Sequence, residues 1–263
     1  MRALGRRAVA LESAGSMIVL LTNDDGVESP GLKALAETLS PEHEVWIVAP
    51  DGERSGTSHA ITLRNAVRIK EVGERRYSCA GTPADCVLFS FLGAIPVKPA
   101  VVISGINLGP NLGTDIIYSG TVAAARQAAL MGHPAVAVSL ADFRPPLFFN
   151  TAADFVAKNL ETMIRMWNGD HFLNINVPNS SEPVLPAVIT HPSRRTYHDK
   201  VVSFVAPTKE VYYFLESRPV EAKQEEGSDW GAVSQGSISV SPIYLHPLNN
   251  ADYLAYERVE FRM

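Results

Sequence analysis

The chain has 263 residues, 46% hydrophobic and 19% charged, which is long enough for one large α/β domain with its own core and excludes a peptide scaffold dependent on staples. Its 23 Lys and Arg against 28 Asp and Glu leave a formal charge of -5, which argues against a protein that wraps a nucleic-acid duplex. Two cysteines, Cys79 and Cys86, make neither a disulfide framework nor a thiolate metal set and fit a reducing compartment.

Residues 1–16 carry Arg2, Arg6 and Arg7 ahead of a short Ala-Val-Ala-Leu segment that Glu12 interrupts. A secretory signal needs an apolar core of roughly 7–15 residues, so this stretch is read as a disordered N-terminal extension. No apolar run approaches the ~18–20 residues of a membrane helix, and a cytoplasmic protein with no membrane partner is expected.

Residues 17–21 (Met-Ile-Val-Leu-Leu) form a continuous apolar run that breaks at Asn23-Asp24-Asp25-Gly26. A strand covered on both faces reads this way, which predicts a parallel sheet between helices. Residues 30–39 show helical spacing behind Ser29-Pro30, an N-cap followed by proline in the first turn. Residues 45–49 are a second buried strand, ended by Pro50-Asp51-Gly52. Further on, residues 83–92 predict a helix, 100–103 a strand stopping at Ser104-Gly105, 119–131 an alanine-rich helix and 135–139 a strand. Residues 149–166 then predict an amphipathic helix and 172–177 another strand.

Beyond Pro178 the texture changes. Residues 178–192 read as loop, 201–215 have strand character, 221–230 are polar and acidic, and residues 238–240 and 245–248 close the chain. Alternating strands and helices predict a doubly wound, three-layer, Rossmann-like α/β domain with a mainly parallel sheet over residues 17–180. Residues 181–263 are expected to form a smaller β-rich appendage with hairpins and a short helix, suited to oligomerisation.

The chemistry is expected at the carboxyl ends of the strands. Asp24 and Asp25 end the first one. Two carboxylates held close in a turn are costly unless a cation compensates them, and a hard divalent metal with oxygen ligands does so. A plain solvated turn of Asn, Asp and Gly is the competing reading. The second strand ends in Asp51-Gly52-Glu53-Arg54-Ser55-Gly56-Thr57-Ser58-His59, where Ser55 offers a hydroxyl and Gly56 lets backbone approach a substrate. After the 100–103 strand comes Ser104-Gly105-Ile106-Asn107-Leu108-Gly109-Pro110-Asn111, in which Asn107 offers an amide oxygen. Ser119, Gly120 and Thr121 open a helix whose free amides and hydroxyls make an anion site, or simply a cap. Two carboxylates against a dication leave a centre roughly neutral, open to a phosphate dianion, which predicts metal-assisted phosphoryl transfer to water.

These strings, together with Gly81-Thr82-Pro83-Ala84-Asp85-Cys86-Val87 and, more weakly, Leu173-Asn174-Ile175-Asn176-Val177-Pro178 and Ser193-Arg194-Arg195, resemble the stationary-phase survival protein SurE family. The resemblance implies a metal-dependent nucleotidase acting on nucleoside monophosphates at 5' and also 3' positions, with activity on polyphosphate. It implies one divalent ion, Mg²⁺ or Mn²⁺, on Asp24, Asp25, Ser55 and Asn107, with Asp24 and Asp25 catalytic. Asn23, Gly56, Asn111, Ser119, Gly120 and Thr121 are expected around the substrate. It further implies a homodimer or homotetramer through the C-terminal region. Residues 1–16 have no counterpart in the family pattern.

Other residues are read as structural. Cys79 and Cys86 belong to a core strand and helix, Asp85 to a helix start, His133 to a helix C-terminus; His59 could contact substrate or be structural or solvated, and the Arg194-Arg195 pair could touch phosphate or a neighbouring subunit, or stand as a solvated pair. A dinucleotide-dependent oxidoreductase would need Gly-x-Gly-x-x-Gly where this chain has Asp24-Asp25. A non-catalytic nucleotide sensor with the same metal pocket remains the alternative.

Overall fold

A computed structural model describes residues 15–216, 221–222 and 225–246; most of the predicted N-terminal extension and residues 247–248 of the closing stretch lie outside them. In chain order the elements are β1 (Ile18–Thr22), α1 (Pro30–Leu39), β2 (Glu44–Pro50), β3 (Ile69–Gly73), β4 (Arg76–Cys79), α2 (Pro83–Phe89), β5 (Val101–Leu108), α3 (Gly120–Leu130), β6 (Ala135–Leu140), α4 (Phe149–Met166) and β7 (His171–Val177). They continue with β8 (Leu185–Ile189), β9 (Arg195–Thr196), β10 (Lys200–Val205), β11 (Val211–Glu216), β12 (Glu221–Ala222), α5 (Asp229–Ser234) and β13 (Ser237–Tyr244).

One nine-stranded sheet runs β3-β4-β2-β1-β5-β6-β7-β13-β8. From β4 to β7 every pairing is parallel, and β3 and β13 add antiparallel neighbours. Side chains alternate across it as the two-residue period of a strand requires. Val19 and Leu21 of β1 point with Val101 and Ile103 of β5 into a core completed by Leu32 and Leu35 of α1 and Val156 and Leu160 of α4. Leu20 and Val102 point the other way, against Val87 of α2 and Ala124, Ala125 and Ala128 of α3. The alanine face of α3 lets that helix lie close to the strands, where small β6 residues Ala135 and Ala137 meet it. This is the doubly wound, three-layer arrangement. Among the described residues no helix is long and apolar enough to cross a membrane.

Several elements differ from the sequence reading. The edge strand β3 is absent from the sequence reading, because Ile-Lys-Glu-Val-Gly is mostly exposed and lacks an apolar run, and β4, Arg-Tyr-Ser-Cys, is anticipated only at Cys79, its buried end in the core. β5 does not stop at Ser104-Gly105 but continues to Leu108. Its Gly105 lies so close to β6 that an added Cβ would come within 2.3 Å of the Val138 carbonyl oxygen. α2 ends at Phe89, followed by a π-helical turn over Ser90–Ala94. Within the supposed loop 178–192, β8 runs parallel to β13, and β13 pairs antiparallel with β7, so the C-terminal part contributes two strands to the main sheet. As the strand character of residues 201–215 implies, β10 and β11 form a separate antiparallel hairpin. His133 stacks on Phe91 with ring centroids 4.0 Å apart.

Candidate active site

The site is built where β1, β2 and β5 end. Ser29 caps α1, accepting from the Leu32 amide, and the preceding turn is tied from inside by Asn23. Its Nδ2 donates to the Gly26 carbonyl (2.9 Å) and to Ser29 Oγ (2.6 Å), while its Oδ1 accepts from the Gly26 amide (3.2 Å). Asn23 is fully buried, so its amide shapes the turn rather than facing an open site. Gly26 has φ +105, and a Cβ there would touch the Gly52 backbone at 3.3 Å. The turn and the loop after β2 are stitched together by Val27 N–H donating to Pro50 O (2.8 Å) and Arg54 N–H donating to Asp24 O (2.7 Å).

This stitching turns Asp24 toward the start of α3. The carboxylate accepts from the Thr121 hydroxyl, and the backbone amides of Gly120 and Thr121 also favour its charged form. Gly120 has no room for a side chain, since a Cβ would lie 2.8 Å from Asp24 Cβ and 3.0 Å from its Oδ2. Asp24 is 3% exposed, and burial raises its pKa despite these donors. Asp25 Oδ2 accepts from the Leu108 amide at 3.2 Å. Burial first, then the Asp24 charge, push the Asp25 carboxyl up to about 6. Asn107 completes the cluster. Its Nδ2 donates to the Gly109 carbonyl (2.9 Å), which turns Oδ1 toward the Thr121 hydroxyl, 3.3 Å away.

Neither Asp24 nor Asp25 has a Lys or Arg partner among the described residues; Arg54 and Arg68 are both turned to Asp51. A buried and a half-buried carboxylate side by side with no cationic side chain are unfavourable as they stand. Their donor set, with the Asn107 amide oxygen alongside, is the all-oxygen chemistry that a hard dication prefers. Among the described residues no group of three or more His, Cys, Asp or Glu is placed to hold a metal, so an ion here would rest on two carboxylates and neutral oxygens.

The remaining predicted residues fall into two groups. Ser55 and Gly56 sit exposed on the loop that Arg54 ties to Asp24, and Gly56, at φ +72, has open space around it. Ser119 caps α3, its Oγ accepting from the Val122 amide at 3.1 Å, with its hydroxyl hydrogen left over. Asn111 is turned into the sheet instead. Its Nδ2 donates to Ser139 Oγ (2.8 Å), its backbone N–H to Asn176 Oδ1 (2.8 Å), and its carbonyl accepts from Asn174 and Asn176. His59 pairs through Nε2 with Gln127 Oε1 at 2.9 Å. A cavity of about 320 Å³ opens beside Asp25, lined by Glu28, Ser29, Asp51, Leu108 and Phe149 among others.

The sequence reading missed what holds these loops. Asp85 accepts from Thr62 N–H (2.8 Å), the Thr62 hydroxyl (2.6 Å) and Thr82 N–H (2.9 Å), anchoring the end of the Ser55 loop. On the other side, Asp229 accepts from Gly113 N–H (2.7 Å) and Ser193 N–H (2.9 Å), and Arg195 and Tyr197 both donate to Asp115. The C-terminal segment therefore braces the stretch between Asn111 and Ser119. Only the Ser193-Arg194-Arg195 string hinted at this.

The family model described as survival protein SurE matches residues 19–199. The 5'-nucleotidase SurE of Geotalea daltonii is 42% identical over 235 residues, covering 89% of this chain and 95% of its own. That of Geotalea uraniireducens is 43% identical over 244 residues, 92% of this chain and 98% of its own. The crystal structure of the SurE protein from Aquifex aeolicus superposes with a TM-score of 0.77 at 34% identity, covering 90% of this chain and 97% of the other.

Proposed function

The chain belongs to the SurE family, and on that premise we propose that it is a metal-dependent phosphatase hydrolysing nucleoside monophosphates to nucleoside and inorganic phosphate. The name 5'-nucleotidase shared by its relatives supports the choice of ester. The observation that carries the reading is the Asp24–Asp25 pair at a strand end, Asp24 buried and Asp25 half-buried, with the Asn107 amide oxygen beside it and, among the described residues, no cationic partner. Mg²⁺ or Mn²⁺ suits such a site.

Asp24, Asp25, Ser55 and Asn107 would hold the ion, which when bound supplies Lewis acidity to phosphoryl oxygens and to water. The chain's own part is preorganisation. The Thr121 hydroxyl and the Leu108 amide hold the two carboxylates in place before substrate arrives. Gly56, open on its outer side, admits a phosphate close to the loop backbone, and Ser119 keeps a hydroxyl hydrogen for an equatorial oxygen. Asn23 and Asn111 act on the turn and the loop rather than on the ester. The adjacent acids lack the Asp-x-Asp spacing of an aspartyl-phosphate enzyme, so attack by water is the assigned route; trapping a phosphorylated aspartate would reverse that assignment.

The oligomer contact, in a homodimer or homotetramer, is placed on the C-terminal region, where β10 and β11 leave Val201, Phe204, Tyr213 and Phe214 at least 50% exposed. The test of function is phosphate release from 5'- and 3'-mononucleotides and polyphosphate, each with a divalent cation and with chelator. Release from the 5' esters with metal is expected, and 3' esters and polyphosphate are proposed as further substrates. Metal-dependent nucleotide binding without release would replace the enzyme by a sensor.

A further inference from the structure

Phosphate and metal are accounted for by side chains that would treat any phosphate ester alike, so something else must recognise the nucleoside. A nucleobase offers two π-faces, and an exposed aromatic ring beside the phosphate position is what would hold one. Two large aromatic side chains border the site and stay open to solvent: Tyr118, 56% exposed, and Phe143, 64% exposed. Phe149, which lines the cavity beside Asp25, is buried in the core and offers no free face.

Tyr118 is the better placed. It immediately precedes Ser119, Gly120 and Thr121, and the Cα of Tyr118 lies at most about 7.6 Å from that of Gly120, since consecutive Cα atoms are 3.8 Å apart. A ribose bridges a gap of that order. Its backbone is fixed from both sides: Tyr118 N–H donates to the Asp115 carbonyl (2.9 Å), and the Tyr118 carbonyl accepts from Ser58 N–H (2.9 Å). The Ser58 hydroxyl also donates to the Ile117 carbonyl at 2.7 Å. The ring therefore stands where the Ser55 loop meets the start of α3.

Behind it, Tyr197 makes a perpendicular contact, ring centroids 6.2 Å apart at 85°, and Tyr197 is itself tied to Asp115 through its hydroxyl. Such a contact covers at most one face of Tyr118. Phe143, by contrast, lies over Gly109, where a Cβ would meet its ring at 2.0 Å.

We propose that Tyr118 is the platform on which the substrate's nucleobase stacks, with Tyr197 as its backing. This rests on the nucleotidase reading and gives it a source of preference for nucleotides over other phosphate esters. Because every base has a π-face, the platform favours nucleoside monophosphates as a class over base-free sugar phosphates, with purines ahead of pyrimidines through larger overlap.

The experiment compares kcat/KM for AMP, CMP and ribose 5-phosphate in the wild type and in Tyr118→Leu, Tyr118→Phe and Phe143→Leu, with thermal unfolding of each variant as the check on folding. Stacking on one aromatic ring supports roughly a tenfold or larger effect. Tyr118→Leu is expected to lower the preference for AMP over ribose 5-phosphate about tenfold, and Tyr118→Phe to restore it. A preference unchanged in Tyr118→Leu, or lost only in Phe143→Leu, overturns the platform while leaving the nucleotidase reading standing. A wild type that releases phosphate from none of the three esters overturns the nucleotidase reading and the platform with it.

Discussion

Replacing Asp25 by Asn should stabilise the metal-free protein, and the size of the effect follows from the site. Burial and the neighbouring Asp24 charge lift the Asp25 carboxyl from its ordinary 3.8 to about 6. At about 1.4 kcal/mol per pKa unit, that lift corresponds to about 3 kcal/mol of disfavour for the charged form. Asp25 is only partly buried, so solvent screening reduces what survives to about 1–2 kcal/mol. A carboxyl whose folded pKa is raised stabilises the fold fully below about 3.8, and that contribution is lost as pH rises through about 6. The wild type should therefore lose stability between pH 4 and 7, whereas Asn, neutral throughout and still able to accept from the Leu108 amide, should not. In chelator at pH 8 the variant should melt about 2–6 °C higher than wild type, converging toward pH 4. Saturating Mn²⁺ should invert the order, because the wild type gains about 2.7 kcal/mol at a hundredfold excess over Kd and the variant gains little. Equal melting temperatures in chelator at pH 8, or equal gains from Mn²⁺, would refute the claim that an uncompensated carboxylate pair awaits a cation here.

Two further substitutions test the supports of that pair. Thr121→Val keeps the shape of the side chain but removes the hydroxyl that donates to Asp24; a loss of about 1–3 kcal/mol in urea denaturation is expected, with weaker metal binding, and Thr121→Ser should retain both. Gly120→Ala puts a methyl group 2.8 Å from Asp24 Cβ; overpacking of about 1–3 kcal/mol and displacement of the carboxylate should appear as reduced stability and reduced metal affinity in calorimetry.

Much of this architecture is written in local signals. α1 and α4 begin and end where the sequence places them, since Ser29-Pro30 marks one start and the apolar stripe of residues 149–166 marks the whole of the other. β1, β2, β6 and β7 are apolar runs that only a sheet covered on both faces requires. β3 and β8 are hard to read because exposed edge strands carry charge or proline and lose the pattern, and β4, paired on both sides, is marked only at its buried end, Cys79. β5 escaped in part because glycine at position 105, a loop signal by itself, is there for the close approach of β6.

The site divides the same way. Asp24, Asp25 and Asn107 stand out as acids and an amide at strand ends, a local feature. Asn23 and Asn111, equally suited by type to a substrate, turn out to be occupied by the turn and by the sheet. The partners of Asn111 are Ser139 and Asn176, 28 and 65 residues on, and no local pattern reports contacts of that range. The Gly120 and Thr121 amides, read as a phosphate cradle, also serve Asp24, which the helix start alone does not reveal.

The proposed hydrolysis requires a divalent ion gathered by Asp24 and Asp25 for the release of phosphate. The direct measurement is AMP hydrolysis by the purified protein after exhaustive EDTA treatment, followed by titration with Mn²⁺ or Mg²⁺, on wild type and Asp25→Asn side by side. Loss of activity in EDTA, recovery with the ion in the wild type, and no recovery in the variant are predicted. Undiminished hydrolysis in EDTA, or full recovery in Asp25→Asn, would contradict it.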